Sequence, residues 1–450
     1  MRGPEIVALV DEGLGNSSYL VDLGDGSALV VDPARDARPY LAEAERRGLR
    51  IAHAVETHLH ADFVSGSAEL ASRGCRVVAA RAAAMAYPHH GLVGGERMGL
   101  GGLSLEALDT PGHTPEHLAY LLRDGSRPVA LFTGGSLLVG AVARTDLIGS
   151  ERTEELARSL WRSIHEQFLS LPDDLIVYPT HGAGSFCSVA PGGERVTTIG
   201  RERASNPLLA VADEDAFVAR LLGGFGTFPP YFLELREVNR RGPLVYGTWP
   251  ALGGLDVSAV ETLVADGAVI VDARQVEPFA AGHIPGSLSI PLRPQFASWL
   301  GWLVARDSTI VFVLDHDQDR AELVRQCLAI GYERLAGELA GGLEGWRSEA
   351  RPVVRVALVT ADDIVGTLVD VRQRNEFAAG HVPGAVHMEL GDTAEQSSGL
   401  PAGPLTVMCG HGERAMSALS ILEAQGRTDI AVLVGGPSDV VAARHQSLAG

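Results

Sequence analysis

Thr57-His58-Leu59-His60-Ala61-Asp62-Phe63 decides the reading of the first half of the chain. It follows an apolar run at 51–55 and precedes a small-residue stretch at 65–71, the pattern of a loop between a buried strand and a helix. Imidazoles at i and i+2 on a loop converge on one cation, and a carboxylate two residues on reaches the same pocket. Taken alone, the stretch is equally a polar turn with two surface histidines. Two further stretches favour the cation. Pro111-Gly112-His113-Thr114 and Tyr178-Pro179-Thr180-His181-Gly182 each set a single histidine in a Pro/Gly turn after an apolar run.

Outward from that loop, residues 6–10, 18–21 and 28–31 read as short strands between Gly/Asp turns, and 39–47 as a helix closed by Gly48. Strand and helix signals continue through 77–80, 103–108, 118–122 and 129–132. Residues 154–171 are the longest amphipathic stretch, stopped by Pro172. Periodicity alone gives mixed α/β.

The three histidine stretches together resemble the metallo-β-lactamase superfamily, and within it the persulfide dioxygenases and the thioester hydrolase glyoxalase II. The resemblance covers roughly residues 5–240 and implies an αββα sandwich. The family loop reads HxHxDH, matched here at His58, His60 and Asp62, with Phe63 in the last place. Phe132-Thr133-Gly134-Gly135 stands where the family has T-G-D, so Gly135 replaces a metal-ligating aspartate. In persulfide dioxygenases iron is held by the equivalents of His58, His113 and that aspartate. Glycine offers no donor and Phe63 removes a second site. The resemblance then implies one ion on His58, His113 and His60, with Asp62 and His181 behind them. That ion is one Fe(II), with zinc as the alternative and a metal-free pocket as the third reading. Arg144-Thr145-Asp146 matches a segment that in the family helps hold a glutathione-type thiol. Cys187, six residues after His181, reads first as a small buried apolar residue.

The 450 residues exceed one ordinary core, so two to four domains are expected. With 46% hydrophobic and 21% charged residues the composition is globular. A formal charge of −19 argues against nucleic acid or an anionic membrane as partner. Every basic residue besides histidine is arginine, which excludes Schiff-base and P-loop lysines. No run reaches the roughly 18 apolar residues of a spanning helix, and no signal-type N-terminus is expected. Cys75, Cys187, Cys327 and Cys409 are widely spaced and make no disulfide framework, so a reducing cytoplasm fits best.

Residues 239–254 read as a linker, and the chain beyond them repeats. Asp272-Ala-Arg-Gln-Val-Glu-Pro-Phe-Ala-Ala-Gly-His283-Ile-Pro-Gly286 returns as Asp370-Val-Arg-Gln-Arg-Asn-Glu-Phe-Ala-Ala-Gly-His381-Val-Pro-Gly384, with 10 of the 15 positions identical at an offset of 98. That points to a duplicated domain of about 95 residues. The D-x-R…F…GHIPG string resembles the rhodanese family, implying two rhodanese-like α/β domains. The expected organisation is 1–245 metallo-β-lactamase fold, 251–350 inactive rhodanese and 356–450 active rhodanese.

In the second repeat an apolar run at 405–408 leads into Cys409-Gly-His-Gly-Glu-Arg414, the rhodanese C-x-x-G-x-R pattern. Such a loop ahead of a helix aims backbone N–H groups at one sulfur, and with Arg414 favours a persulfide anion on Cys409. Cys409 and Arg414 are the expected catalytic pair, with Gly410, His411, Gly412 and Glu413 lining the substrate loop. In the first repeat, aligning Arg320 with Arg414 sets Asp315 in the cysteine's place, and a carboxylate carries no sulfane sulfur. The expectation is an enzyme of sulfur metabolism. It handles glutathione persulfide or a similar thiol persulfide, thiosulfate and sulfite, and the family implies a homo-oligomer. A glyoxalase II-like hydrolase and a metal-free binding module with sulfur transfer only in the last domain are the competing readings.

Overall fold

The computed structural model describes residues 4–187 and 193–450. It divides into two compact units, Met1–Trp249 with Leu328–Gly331, and Pro250–Cys327 with Tyr332–Gly450.

In the first unit the alternating strands of the N-terminal third build a six-stranded sheet in sequence order, from Ile6–Asp11 to His90–Leu92. A second six-stranded sheet runs from Arg97–Leu100 through Leu103–Asp109, Leu118–Asp124, Arg127–Gly134 and Ile176–Pro179 to Thr197–Thr198. Tyr19, Val31, Val55 and Val78 of the first sheet pack with Leu105, Tyr120, Leu122 and Phe132 of the second in one buried cluster. On the outer face of the first sheet, Tyr40 and Ala44 of helix Arg38–Arg46 and Leu70 of helix Ser67–Ala71 pack on Leu20, Val30 and Ala54. On that of the second, Ala157 and Leu160 of helix Thr153–Ser163 and Phe217 of helix Glu214–Gly223 pack on Leu121, Leu131 and Val177. Two sheets face to face with helices outside is the αββα sandwich, and it sends the histidine loops to one end.

Three expectations change. The long amphipathic stretch is a helix over Thr153–Ser163 that widens into a π turn at Ile164–Phe168 and stops before Pro172. The conformational restriction a proline imposes on its predecessor favours that early stop. The stretch 65–71 is helical only over Ser67–Ala71. Asn239 is no linker residue. It lies in helix Phe232–Arg241, which ends at Gly242 with a φ of +93°.

The second unit holds two five-stranded parallel sheets of the same strand order. The shared motif is structural in both. Arg274 clamps Asp272 (2.9 and 2.6 Å) and the Gly282 carbonyl (2.8 Å), as Arg372 clamps Asp370 (3.0 and 2.7 Å) and the Gly380 carbonyl (2.9 Å). Phe279 stacks on His283 and Phe377 on His381, both with ring centroids 3.9 Å apart. The repeated residues thus fix the turn after the first long strand of each domain.

Strand pairing corrects the alignment of the two loops. Asp272 pairs with Val313, and its counterpart Asp370 pairs with Met408. Counted from these strand ends, Leu314 stands where Cys409 does, and Asp315 falls one place later in a loop one residue longer. The apolar side chain there is as incapable of carrying sulfur as the carboxylate.

Candidate functional site: a histidine pocket and a cysteine loop

Strand Arg50–Val55 delivers the histidine loop into a buried scaffold. Asp32, at a φ of +47°, accepts from Thr57 N–H and Thr57 Oγ1 (both 2.7 Å) and from the Thr180 hydroxyl. A non-glycine residue in the left-handed region is uncommon, and here it ties the loops of His58 and His181 together. From the other side Asn239 Nδ2 donates to the His60 and Phe63 carbonyls (2.8 and 2.9 Å), while its Oδ1 accepts from Ser65 N–H (2.8 Å).

Hydrogen bonding assigns the tautomers. Thr57 Oγ1 gives its only proton to Asp32, so it accepts from His58 Nδ1–H (2.8 Å). His113 Nδ1–H donates to the Arg144 carbonyl (2.7 Å), and His113 Nε2 is buried without a partner. His181 Nδ1 faces two acceptors, Asn16 Oδ1 at 3.0 Å and Asp62 Oδ2 at 3.2 Å. The Nε2 atoms of His58 and His181 therefore carry bare lone pairs, and they lie 3.3 Å apart.

Burial, with the neighbouring imidazoles, pushes His58 well below its usual range and His113 down to about 3. Burial opposes the charge on His60 too, yet the Asp32 and Glu56 carboxylates raise it to about 10. Its Nε2 is 3.0 Å from Glu56 and 3.3 Å from Asp32, and its ring stacks on Phe63 at 4.2 Å. Burial works against the Asp62 carboxylate, and His181 nonetheless holds it well below the carboxylate range.

Among the described residues, donor atoms within 4.8 Å of one another include the sets His58/His60/His181 and His113/His181/Cys187. The expected trio of His58, His113 and His60 is not one of them. Both sets use His181, which the sequence reading placed behind the ligands. The physical reason is that Glu56 and Asp32 hold His60, 3.0 and 3.3 Å from its Nε2. A Cβ on Gly135 would meet His113 Cδ2 at 2.4 Å, so the His113 ring fills the space of the absent aspartate. The family's iron-binding set of two histidines and an aspartate does not fit this pocket.

Arg144 also differs from expectation. Its guanidinium is held by Asp146 (2.6 and 2.8 Å) and the Phe186 and Gly226 carbonyls (3.1 and 2.8 Å), over the rings of Phe225 and Phe228. A buried arginine needs such partners. It positions the Cys187 segment, whose carbonyl accepts from Arg144 N–H (2.9 Å), and spends four of its five guanidinium N–H donors on these partners.

In the second unit, strand Leu405–Met408 ends at Cys409, and helix Glu413–Ala424 begins just past it. Gly412 N–H donates to Cys409 Sγ (3.1 Å) at a φ of +103°, which glycine adopts freely. Arg414 Nη1 and Nη2 bind Glu376 (2.5 and 2.9 Å), and the guanidinium lies 5.5 Å from the Trp299 ring centroid. Glu413, expected to line the substrate loop, pairs with Arg293 instead; His411 is exposed. Sequence reasoning missed Glu376, Trp299 and Arg293. Only Glu376 left a signal, since the 98-residue offset places Pro278 in its position in the repeat without a nucleophile.

Residues 11–181 match the metallo-beta-lactamase superfamily, and 256–349 and 356–443 each match the rhodanese-like domain. The mitochondrial persulfide dioxygenase of Homo sapiens is 33% identical over 202 residues, 44% of this chain and 73% of its own length. The chain belongs to the metallo-β-lactamase superfamily, with two rhodanese-like domains. The hydroxyacylglutathione hydrolase of Methylococcus capsulatus is 34% identical over 215 residues, 44% of this chain and 79% of its own length. A crystal structure of a metallo-beta-lactamase from Staphylococcus aureus superposes with a TM-score of 0.67 at 28% identity, covering 75% of this chain and 99% of its own. Persulfide dioxygenase relatives beside two rhodanese-like domains make this superfamily member an enzyme of sulfur chemistry. Among the described residues, no helix is long and apolar enough to cross a membrane.

Proposed function

We propose that this enzyme moves sulfane sulfur through Cys409 and takes a low-molecular-weight thiol persulfide, such as glutathione persulfide, in its first domain. The Gly412 N–H aimed at Cys409 Sγ at the start of a 12-residue helix carries the reading. In the first half-reaction the Cys409 thiolate attacks the outer sulfur of thiosulfate. The S–S bond breaks, and sulfite leaves with its electron pair. In the second, an acceptor thiolate or cyanide attacks the terminal sulfur of the Cys409 persulfide and releases the cysteine thiolate. Both resting states are anionic sulfur, which a backbone N–H and a helix N-terminus stabilise. Glu376 holds Arg414 at the loop, where it offsets that charge.

In the first domain the donors of the histidine pocket hold one metal. Iron is the metal that persulfide oxidation requires. The family's ligand set for that iron does not form here, since Gly135 offers no carboxylate. A bridging hydroxide between two metals, the usual basis of thioester hydrolysis, is disfavoured by Phe63, whose ring stacks on His60.

The test is Cys409→Ser, a nearly isosteric change. Transfer from thiosulfate to cyanide should vanish while the fold is retained. Undiminished transfer in the folded variant overturns the assignment.

A further inference from the structure

The structure assigns the first domain a metal site that differs from its superfamily's usual one: we propose that His113 Nε2, His181 Nε2 and Cys187 Sγ bind one borderline-soft divalent ion, zinc before iron. It rests on the reading of the first domain as a one-metal pocket and supplies the ligands that reading lacks.

One ring nitrogen of each histidine and Cys187 Sγ lie within 4.8 Å of one another, and all three side chains are buried. His113 Nε2 is the decisive one. It is enclosed, its tautomer is fixed by the Arg144 carbonyl, and its lone pair has no partner. A buried acceptor left bare is unfavourable, and a cation on it removes that cost. His181 is prepared in the same way, with Nδ1–H turned to Asn16 and Asp62 so that Nε2 points back. Its Nε2 is 3.3 Å from the equally bare Nε2 of His58. Bonds of about 2.0–2.1 Å to a tetrahedral ion would hold two imidazole nitrogens at roughly that separation.

Cys187 joins for a reason visible in the backbone. Arg144 holds His113 through its own carbonyl and Cys187 through its own N–H, so one residue fixes two ligands. Gly135 supplies nothing, and the His113 ring occupies its place. The Cys187 thiolate stands in for the lost carboxylate. On binding, the thiol releases its proton and the sulfur–metal bond forms, with no change in oxidation state. Two imidazoles, one thiolate and an open position are a zinc-type catalytic set. Cys187 also lines a cavity of about 190 Å³ beside Leu208, Leu221 and Phe225.

The test uses the full-length chain stripped of metal and titrated with Co(II), then Zn(II). One Co(II) per chain should bind with a thiolate-to-cobalt charge-transfer band in the near ultraviolet, and Zn(II) should displace it. Cys187→Ser should lose the band and bind Co(II) at least about tenfold more weakly, a loss of about 1.4 kcal/mol. Cys409→Ser should keep both. One Co(II) without the band, a band that survives Cys187→Ser, or no binding at all overturns the site. Sulfur transfer through Cys409, measured on the same samples, reports on the functional reading separately. Should Cys187→Ser fail to fold, X-ray absorption of the zinc-loaded full-length chain decides: one sulfur bonded to the zinc is expected, and a shell of nitrogen and oxygen alone refutes the site.

Discussion

Asn239→Ala removes a side chain that braces the histidine loop from the helix behind it. Asn239 is 1% exposed and makes three hydrogen bonds of 2.8–2.9 Å to the main chain of that loop. The substitution strips a donor from the His60 and Phe63 carbonyls and an acceptor from Ser65 N–H, all in the interior. Each such group left unpaired costs about 1–3 kcal/mol. The losses are not additive in one network, so about 3–5 kcal/mol is expected for the first unit. Asn239→Asp should do no better, because it restores the acceptor but turns a second acceptor onto two carbonyls. Urea unfolding of the full-length chain should move the transition of the first unit to lower denaturant and leave that of the second in place. Metal affinity should fall with it, since the loop that sets Asp62 behind His181 loses its support. A change below about 0.5 kcal/mol, the range of an ordinary surface substitution, would refute the reasoning.

Gly135→Asp, which would restore the family's aspartate, should not restore its site. The new Cβ meets the His113 ring at 2.4 Å, and overpacking of this kind costs about 1–3 kcal/mol. A lower melting temperature without added iron is expected, and higher iron content at unchanged stability contradicts it. Asp315→Ala should leave thiosulfate-dependent transfer within error, because neither it nor Leu314 carries sulfur; an about tenfold loss in a folded variant contradicts that. Trp299→Ala withdraws an aromatic face worth about 0.5–2 kcal/mol from Arg414. Transfer should slow severalfold while Cys409 still forms a persulfide, and an unchanged rate would show that the ring only packs.

The first strands of the first sheet and the two rhodanese motifs were legible because each rests on local pattern. The apolar alternation of the N-terminal strands, the glycine-rich turns and the 15-residue repeat all act over short spans. The ligand set was not. Whether His60 or Cys187 faces an ion depends on Glu56 and on Asp32 and Arg144, the last two remote in sequence from the groups they orient. Gly135 could be read as a missing donor, but not as room for the His113 ring. Leu314 was hidden for a related reason: the repeat is ungapped over its motif, and the extra residue appears only when strand pairing supplies a second ruler. Asn239 looked like linker because Pro243, Pro250 and the glycines lie just beyond it, while its role is set by a loop nearly two hundred residues earlier.

The central claim is that sulfur is carried on Cys409. Mass spectrometry of peptides after incubation with thiosulfate tests it most directly. The account predicts the added mass of one sulfur atom on the peptide containing Cys409 and none on those of Cys75, Cys187 or Cys327. Sulfur on Cys187, with Cys409→Ser still active, would contradict it.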